Sequence, residues 1–131
     1  MTFDPRQISD PSFFADNRMA AHSDHRWFRD AAEAARGVSG FEHSLNGLWK
    51  FHYAKNPGAV VPGFESPDFD TSGWDDIRVP AHIQMEGYDR PQYVNVQYPW
   101  DGHEVLEAGQ APQLFNPVGS YVTSFAVDEP L

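Results

Sequence analysis

From Leu45 onward the apolar positions recur with a period of two. Trp49, Phe51 and Tyr53 alternate with Leu48, Lys50 and His52, the pattern of a half-buried strand with two unlike faces. Asn56-Pro57-Gly58 predicts its end, because these residue types favour a turn over continued pairing. An acidic loop over 57–76 leads to a short strand at 77–79. Alternation returns at 120–127, where Tyr121, Thr123, Phe125 and Val127 share a face. One helical pattern precedes the strands. Ser23 can cap it, Asp24 suits its first turn, and Gly37 can close it after Arg36. Trp27, Phe28, Ala31, Ala34 and Ala35 then form a stripe whose expected role is packing. Residues 1–22 read as an extended arm, since Asp4-Pro5 and Asp10-Pro11 push the residue before each proline away from helix.

Many short segments separated by eleven prolines and ten glycines predict an all-β sandwich or barrel rather than a bundle. The 131 residues have room for one domain over 23–131 behind the arm. Three or four strands make a poor sandwich, because each sheet needs an opposing face and covered edges. The chain is therefore expected to be the front part of a larger β-domain, cut before completion.

A formal net charge of −10 argues against a nucleic-acid partner, which needs clustered Lys and Arg, and against an anionic membrane surface. A neutral ligand is compatible with it. There is no cysteine, so neither disulfides nor thiol chemistry enter. The N-terminus lacks a basic-then-apolar leader, and no apolar run reaches spanning length. The expected location is the cytoplasm.

Several groupings invite chemistry. Asp68-Phe69-Asp70-Thr71-Ser72-Gly73 opens like an EF-hand loop, but position twelve is Val79 rather than a bidentate glutamate. A turn closed by the aspartates and anchored by Trp74 is the expectation instead. His22 and His25 have metal-ligand spacing without a third ligand, which favours a capping or surface role. His82, Glu86 and Asp89 could form an acid–base group, although such loop residues commonly bond their own backbone. Glu104 and Glu107 read as a solvated pair. Glycoside hydrolysis needs two carboxyl groups, roughly 5–5.5 Å apart for retention, and nineteen acidic residues make some pair inevitable.

The long loop over 79–99 is the most informative stretch. A simple connection uses a few small polar residues. This one carries prolines, rings and amides, which offer flat apolar faces and groups that both donate and accept, as a polyhydroxylated ligand requires. Asn95 stands at its centre, in Tyr93-Val94-Asn95-Val96-Gln97-Tyr98-Pro99. Its amide could bond two adjacent sugar hydroxyls. On the residues alone, a turn asparagine satisfied within its own loop is the simpler reading.

Together, Asn17–His22, Ser44–Phe51, Phe69–Trp74, the loop and 116–125 resemble the beginning of a glycoside hydrolase family 2 β-galactosidase. The resemblance covers most of the chain from Asp10 onward, with Ile83 where tryptophan is common and Glu86 where histidine is frequent. It implies an incomplete jelly-roll, galactose-binding-domain-like β-sandwich. It also implies retaining hydrolysis of terminal β-galactosides such as lactose by two glutamates beyond residue 131, so that no catalytic residue lies in this chain and the piece alone is inactive. Magnesium, with sodium as a second ion, is implied with ligands beyond residue 131. Asn95, in the family's Tyr-x-Asn-Val-x-Tyr-Pro pattern, is implied to contact galactose. The implied partners are the substrate, further domains of the same enzyme and other copies in a homo-oligomer. The alternatives are a stand-alone carbohydrate-binding module, the same domain of a β-glucuronidase or β-mannosidase, and a segment for folding or assembly.

Overall fold

Alternation at 47–54 produces the central strand of a three-stranded antiparallel sheet. The computed structural model describes residues 4–93 and 95–127, without the side chain of Pro5. Strand β1 (Gly47–Ala54) lies between β2 (Asp75–Val79) and β3 (Val118–Val122), in the order β2-β1-β3. The register sets Trp49 against Ile77 and Phe51 against both Asp75 and Tyr121. One face therefore collects Trp49, Phe51, Tyr53, Ile77 and Tyr121, as a period of two requires. Phe51 and Ile77 are each 1% exposed and form the centre of the core. Burying a side chain of this size contributes about 1.5–3 kcal/mol.

The opposite face is assembled by Trp74. Its ring lies 5.3 Å from His52, 5.8 Å from Phe64 and 5.7 Å from Phe69. The loop before β2 turns where the Asp70 carboxylate accepts the Ser72 N–H at 2.8 Å, so the aspartate-rich segment is a backbone-bonded turn with Trp74 as its anchor. On the same face Lys50 sits opposite Asp76 and pairs with it at 2.9 Å. Opposite-charge pairs directly across a ladder favour one register.

The sheet fits the all-β expectation for an incomplete sandwich, whereas several element boundaries differ. The helix is only α1 (Ala31–Arg36). Asp30, not Ser23, caps it by accepting the Ala32 and Glu33 N–H groups, both at 2.8 Å. Upstream, the Trp27 carbonyl accepts the Ser39 hydroxyl at 2.6 Å, and Arg26 is bonded to Glu42. These long-range bonds hold residues 26–29 out of the helix, and Trp27 is exposed rather than part of a packed stripe. Gly37 does close the helix, in the left-handed conformation (φ 67°). The last strand begins at Val118 and leaves the ladder after Val122, short of residue 127. Beyond it the Phe125 ring stacks on His43 at 5.9 Å, which draws the chain away from β1. Strand β2 starts at Asp75, two residues before the expected position. In the arm, Asp4 caps a 3₁₀ turn at Pro5–Ser9, so this part is wound rather than extended. Among the described residues no helix is long and apolar enough to cross a membrane.

Candidate functional site

Directly after β2 the chain enters the long loop through a cis Val79–Pro80 peptide. Its first half is fastened to the sheet at several points. Residues Ile83–Met85 form a 3₁₀ turn, and Gly87 (φ 95°) lets the chain reverse so that the Tyr88 N–H reaches the Ile83 carbonyl at 3.2 Å. The Tyr88 ring then lies edge-on against Phe51, 4.5 Å away at 68°, a favoured aromatic arrangement. The Tyr88 hydroxyl donates to Asp75 at 3.0 Å. Burial, reinforced by that carboxylate, pushes the Tyr88 phenol up from its ordinary value. Glu86 pairs with Arg78 of β2 at 2.8 Å. Asp89 approaches the Tyr53 hydroxyl, and burial followed by this negative charge raises the Tyr53 phenol.

The far end is fastened differently. Tyr98 stacks on Trp100 at 4.8 Å with planes only 2° apart, and the Asp101 carboxylate accepts the Tyr98 N–H at 2.9 Å. His103 stacks on Phe115 at 4.3 Å. Glu104 accepts three consecutive backbone N–H groups, from Gln113 and Leu114 at 2.9 Å and from Phe115 at 3.2 Å. The bond from Gln113 comes first among the causes that hold the Glu104 carboxyl below its ordinary value. Glu104 and Glu107 are thus not a solvated pair. Glu104 is half-buried and organises the 104–115 connection, while Glu107 is exposed.

Between these fastenings the loop tip projects outward. Tyr93 is 88% exposed and Val96 87%. Asn95 occupies an exposed bend between them. Val94, the other member of the motif, lies outside the described residues. The turn bonds at the loop's ends are made by Asp89 to the Arg90 N–H and by Asp101 to the Tyr98 N–H. A large apolar surface held outward on a fastened loop is the kind that meets another surface or a ligand.

The other sequence candidates separate. His82 is exposed, Glu86 faces Arg78 and Asp89 faces Tyr53, so no acid–base group forms. The His22 ring contacts the Ala20 carbonyl at 2.8 Å and Asp24 at 3.0 Å. Among the described residues no three His, Asp or Glu side chains converge to hold a metal ion. Sequence reasoning passed over Tyr88, Glu104 and Trp100 as fixtures of the loop. Only Gly87, immediately before Tyr88, offered a local signal.

The family model described as "Glycosyl hydrolases family 2, sugar binding domain" matches residues 42–131, the span that holds the sheet and the loop. This chain belongs to that family. A β-galactosidase of Halalkalibacterium halodurans is 50% identical over 121 residues, covering 92% of this chain and 12% of the relative. One from Streptococcus thermophilus is 43% identical over 124 residues, 95% of this chain and again 12% of the relative. A β-galactosidase large subunit of Leuconostoc lactis is 40% identical over 134 aligned positions, with 93% and 21% covered. The family 2 sugar-binding domain therefore spans, in this chain, a small fraction of the length of the β-galactosidases it matches.

Proposed function

We propose that this chain is the opening part of a retaining β-galactosidase and that its loop over 80–99 delivers Asn95 to the galactose of the substrate. The observation that carries this reading is the identity to β-galactosidases, 50% and 43% over more than nine-tenths of the chain. The geometry is in keeping with it: a side-chain amide stands at the exposed tip of a loop fastened at both ends. Fastening reduces the ordering cost when the tip meets its ligand. Residues beyond 131 supply the two carboxyl groups that cleave the glycosidic bond and the ligands that would hold magnesium. The chain acts with further domains of the same enzyme in a cytoplasmic homo-oligomer.

In this role the Asn95 amide donates to one sugar hydroxyl and accepts from a neighbour. Bonds that strengthen as the sugar flattens toward an oxocarbenium ion raise kcat, whereas equally strong ground-state bonds only lower KM. Asn95→Ala in the complete protein is expected to lower kcat/KM for lactose and for an aryl galactoside by about 1–3 kcal/mol, the cost of one buried polar contact. Unchanged kinetics on both substrates would remove Asn95 from the site.

A further inference from the structure

Asn95 lies seven residues after Tyr88 and three before Tyr98. Seven residues can span about 25 Å and three only about 10 Å, so the fixture after the tip governs the placement of Asn95 more closely than the one before it. The two limbs of the tip also stand apart. Residues 90–93 and 97–99, together with Asp101 and His103, line a cleft of about 310 Å³. What holds Tyr98 therefore decides where the limb leading back to Asn95 begins.

Asp101 holds Tyr98 twice. Its N–H donates to the Tyr98 carbonyl at 3.0 Å, and its carboxylate accepts the Tyr98 N–H at 2.9 Å. The peptide groups on both sides of the Tyr98 Cα are thus fixed by one residue, and the negative charge strengthens the second bond. Pro99 presets the second position of the turn that these bonds close. The His103 N–H donates to the Trp100 carbonyl at 2.9 Å, so the next turn follows without a break. The stack of Tyr98 on Trp100 orients a ring, whereas the Asp101 carboxylate reaches the peptide that runs back toward Asn95. We propose that Asp101 is a positioning residue for the reaction, holding the Asn95 amide at the sugar through the Tyr98 N–H. The proposal rests on the proposed function of Asn95 and adds the group through which that amide is aimed. A side chain that meets a substrate must be held within about 0.5 Å of its productive place. Without the carboxylate the tip samples further orientations, and only the competent fraction meets the sugar.

The test is a kinetic double-mutant cycle in the intact protein that carries this chain, read with lactose and with an aryl galactoside. Asp101→Ala is expected to lower kcat/KM for both about two- to tenfold, the fall in competent tip when one hydrogen bond is removed. Asp101→Asn, whose amide oxygen can accept the same N–H, is expected to recover most of that loss. In an Asn95→Ala background, Asp101→Ala is expected to cost less than about twofold, because no amide remains to be placed. A variant that merely folds poorly loses the same factor in both backgrounds, so the cycle separates aiming from general damage. Equal losses in the two backgrounds overturn the inference and leave Asn95 in its site. So does an Asp101→Ala protein with the kcat/KM of the parent, or an Asp101→Asn protein as slow as Asp101→Ala. Should Asn95→Ala alone change nothing, or the parent hydrolyse neither galactoside, the proposed function itself fails and the inference falls with it.

Discussion

Gly119 of β3 lies across from Tyr53 and beneath the Phe51 ring, so a double-mutant cycle between Gly119 and Phe51 tests how the core seats the loop. A Cβ at position 119 would sit 2.8 Å from Phe51 Cε2, 3.3 Å from Phe51 Cζ and 3.0 Å from the Tyr121 ring. The first distance is closer than packed carbons approach, and Phe51, only 1% exposed, has no free space to retreat into. Overpacking of this kind costs about 1–3 kcal/mol. Against it stands the backbone advantage of alanine over glycine in a strand, about 0.5–1 kcal/mol. The clash wins, and Gly119→Ala is expected to destabilise the chain by about 0.5–2 kcal/mol. Leucine at position 51 lacks the outer ring atoms that meet the new methyl group. In a Phe51→Leu background only the 3.0 Å approach to the Tyr121 ring remains, and the same glycine substitution should cost less than in the parent by about 1–3 kcal/mol. The coupling between the two sites is then on the order of 1–3 kcal/mol, well outside the additive limit of about 0.5 kcal/mol. Urea unfolding of the four proteins, followed by tryptophan fluorescence and by circular dichroism, measures it. Additive free energies across the four would refute the packing of Phe51 on Gly119, and with it the account of how Tyr88 is seated.

Glu104→Gln should lower the melting temperature at neutral pH. Because the fold holds the Glu104 carboxyl below its ordinary range, its contribution is fully present above about pH 4.3 and disappears as pH falls through the lowered value. The gap between parent and variant should therefore close in acid, and a gap constant from pH 7 to pH 3 would contradict the bonding of the Glu104 carboxylate to the 113–115 N–H groups. Ser120 is 3% exposed, its hydroxyl and the Nδ1 of the facing His52 lack partners among the described residues, and the two residues are register neighbours. Ser120→Ala removes a buried hydroxyl that bonds nothing, so thermal unfolding should show a neutral or stabilising effect of up to about 1 kcal/mol. A loss of that size would show that the hydroxyl is bonded after all.

The strands were legible because their signal is local. Alternation at Trp49, Phe51 and Tyr53 is visible in five consecutive residues, and the sheet keeps that alternation. The helix was misjudged because its start depends on distant partners. Ser23 and Asp30 are both acceptable caps, and the choice falls to Asp30 once Ser39, twelve residues beyond Trp27, has taken the Trp27 carbonyl. The end of β3 had the same cause. The period of two runs on through Phe125, yet His43, which stacks on that ring, is far away in sequence.

The site divides along the same line. The proposed role of Asn95 comes from the resemblance to family 2 β-galactosidases, and on the residues alone an asparagine between two valines reads as a turn residue. The groups that hold its loop were not legible. The Tyr88 hydroxyl finds Asp75 thirteen residues back, and Glu104 finds its three N–H donors nine to eleven residues ahead. Neither carboxylate belongs to a motif, and glutamate in a Pro- and Gly-rich connection ordinarily faces water. The division has a physical reason. Residues that touch a ligand must keep their chemistry and their order along the chain, so a spacing pattern can reveal them. Those that hold the loop need only supply an acceptor or a ring at the right point in space, and many sequences can do that.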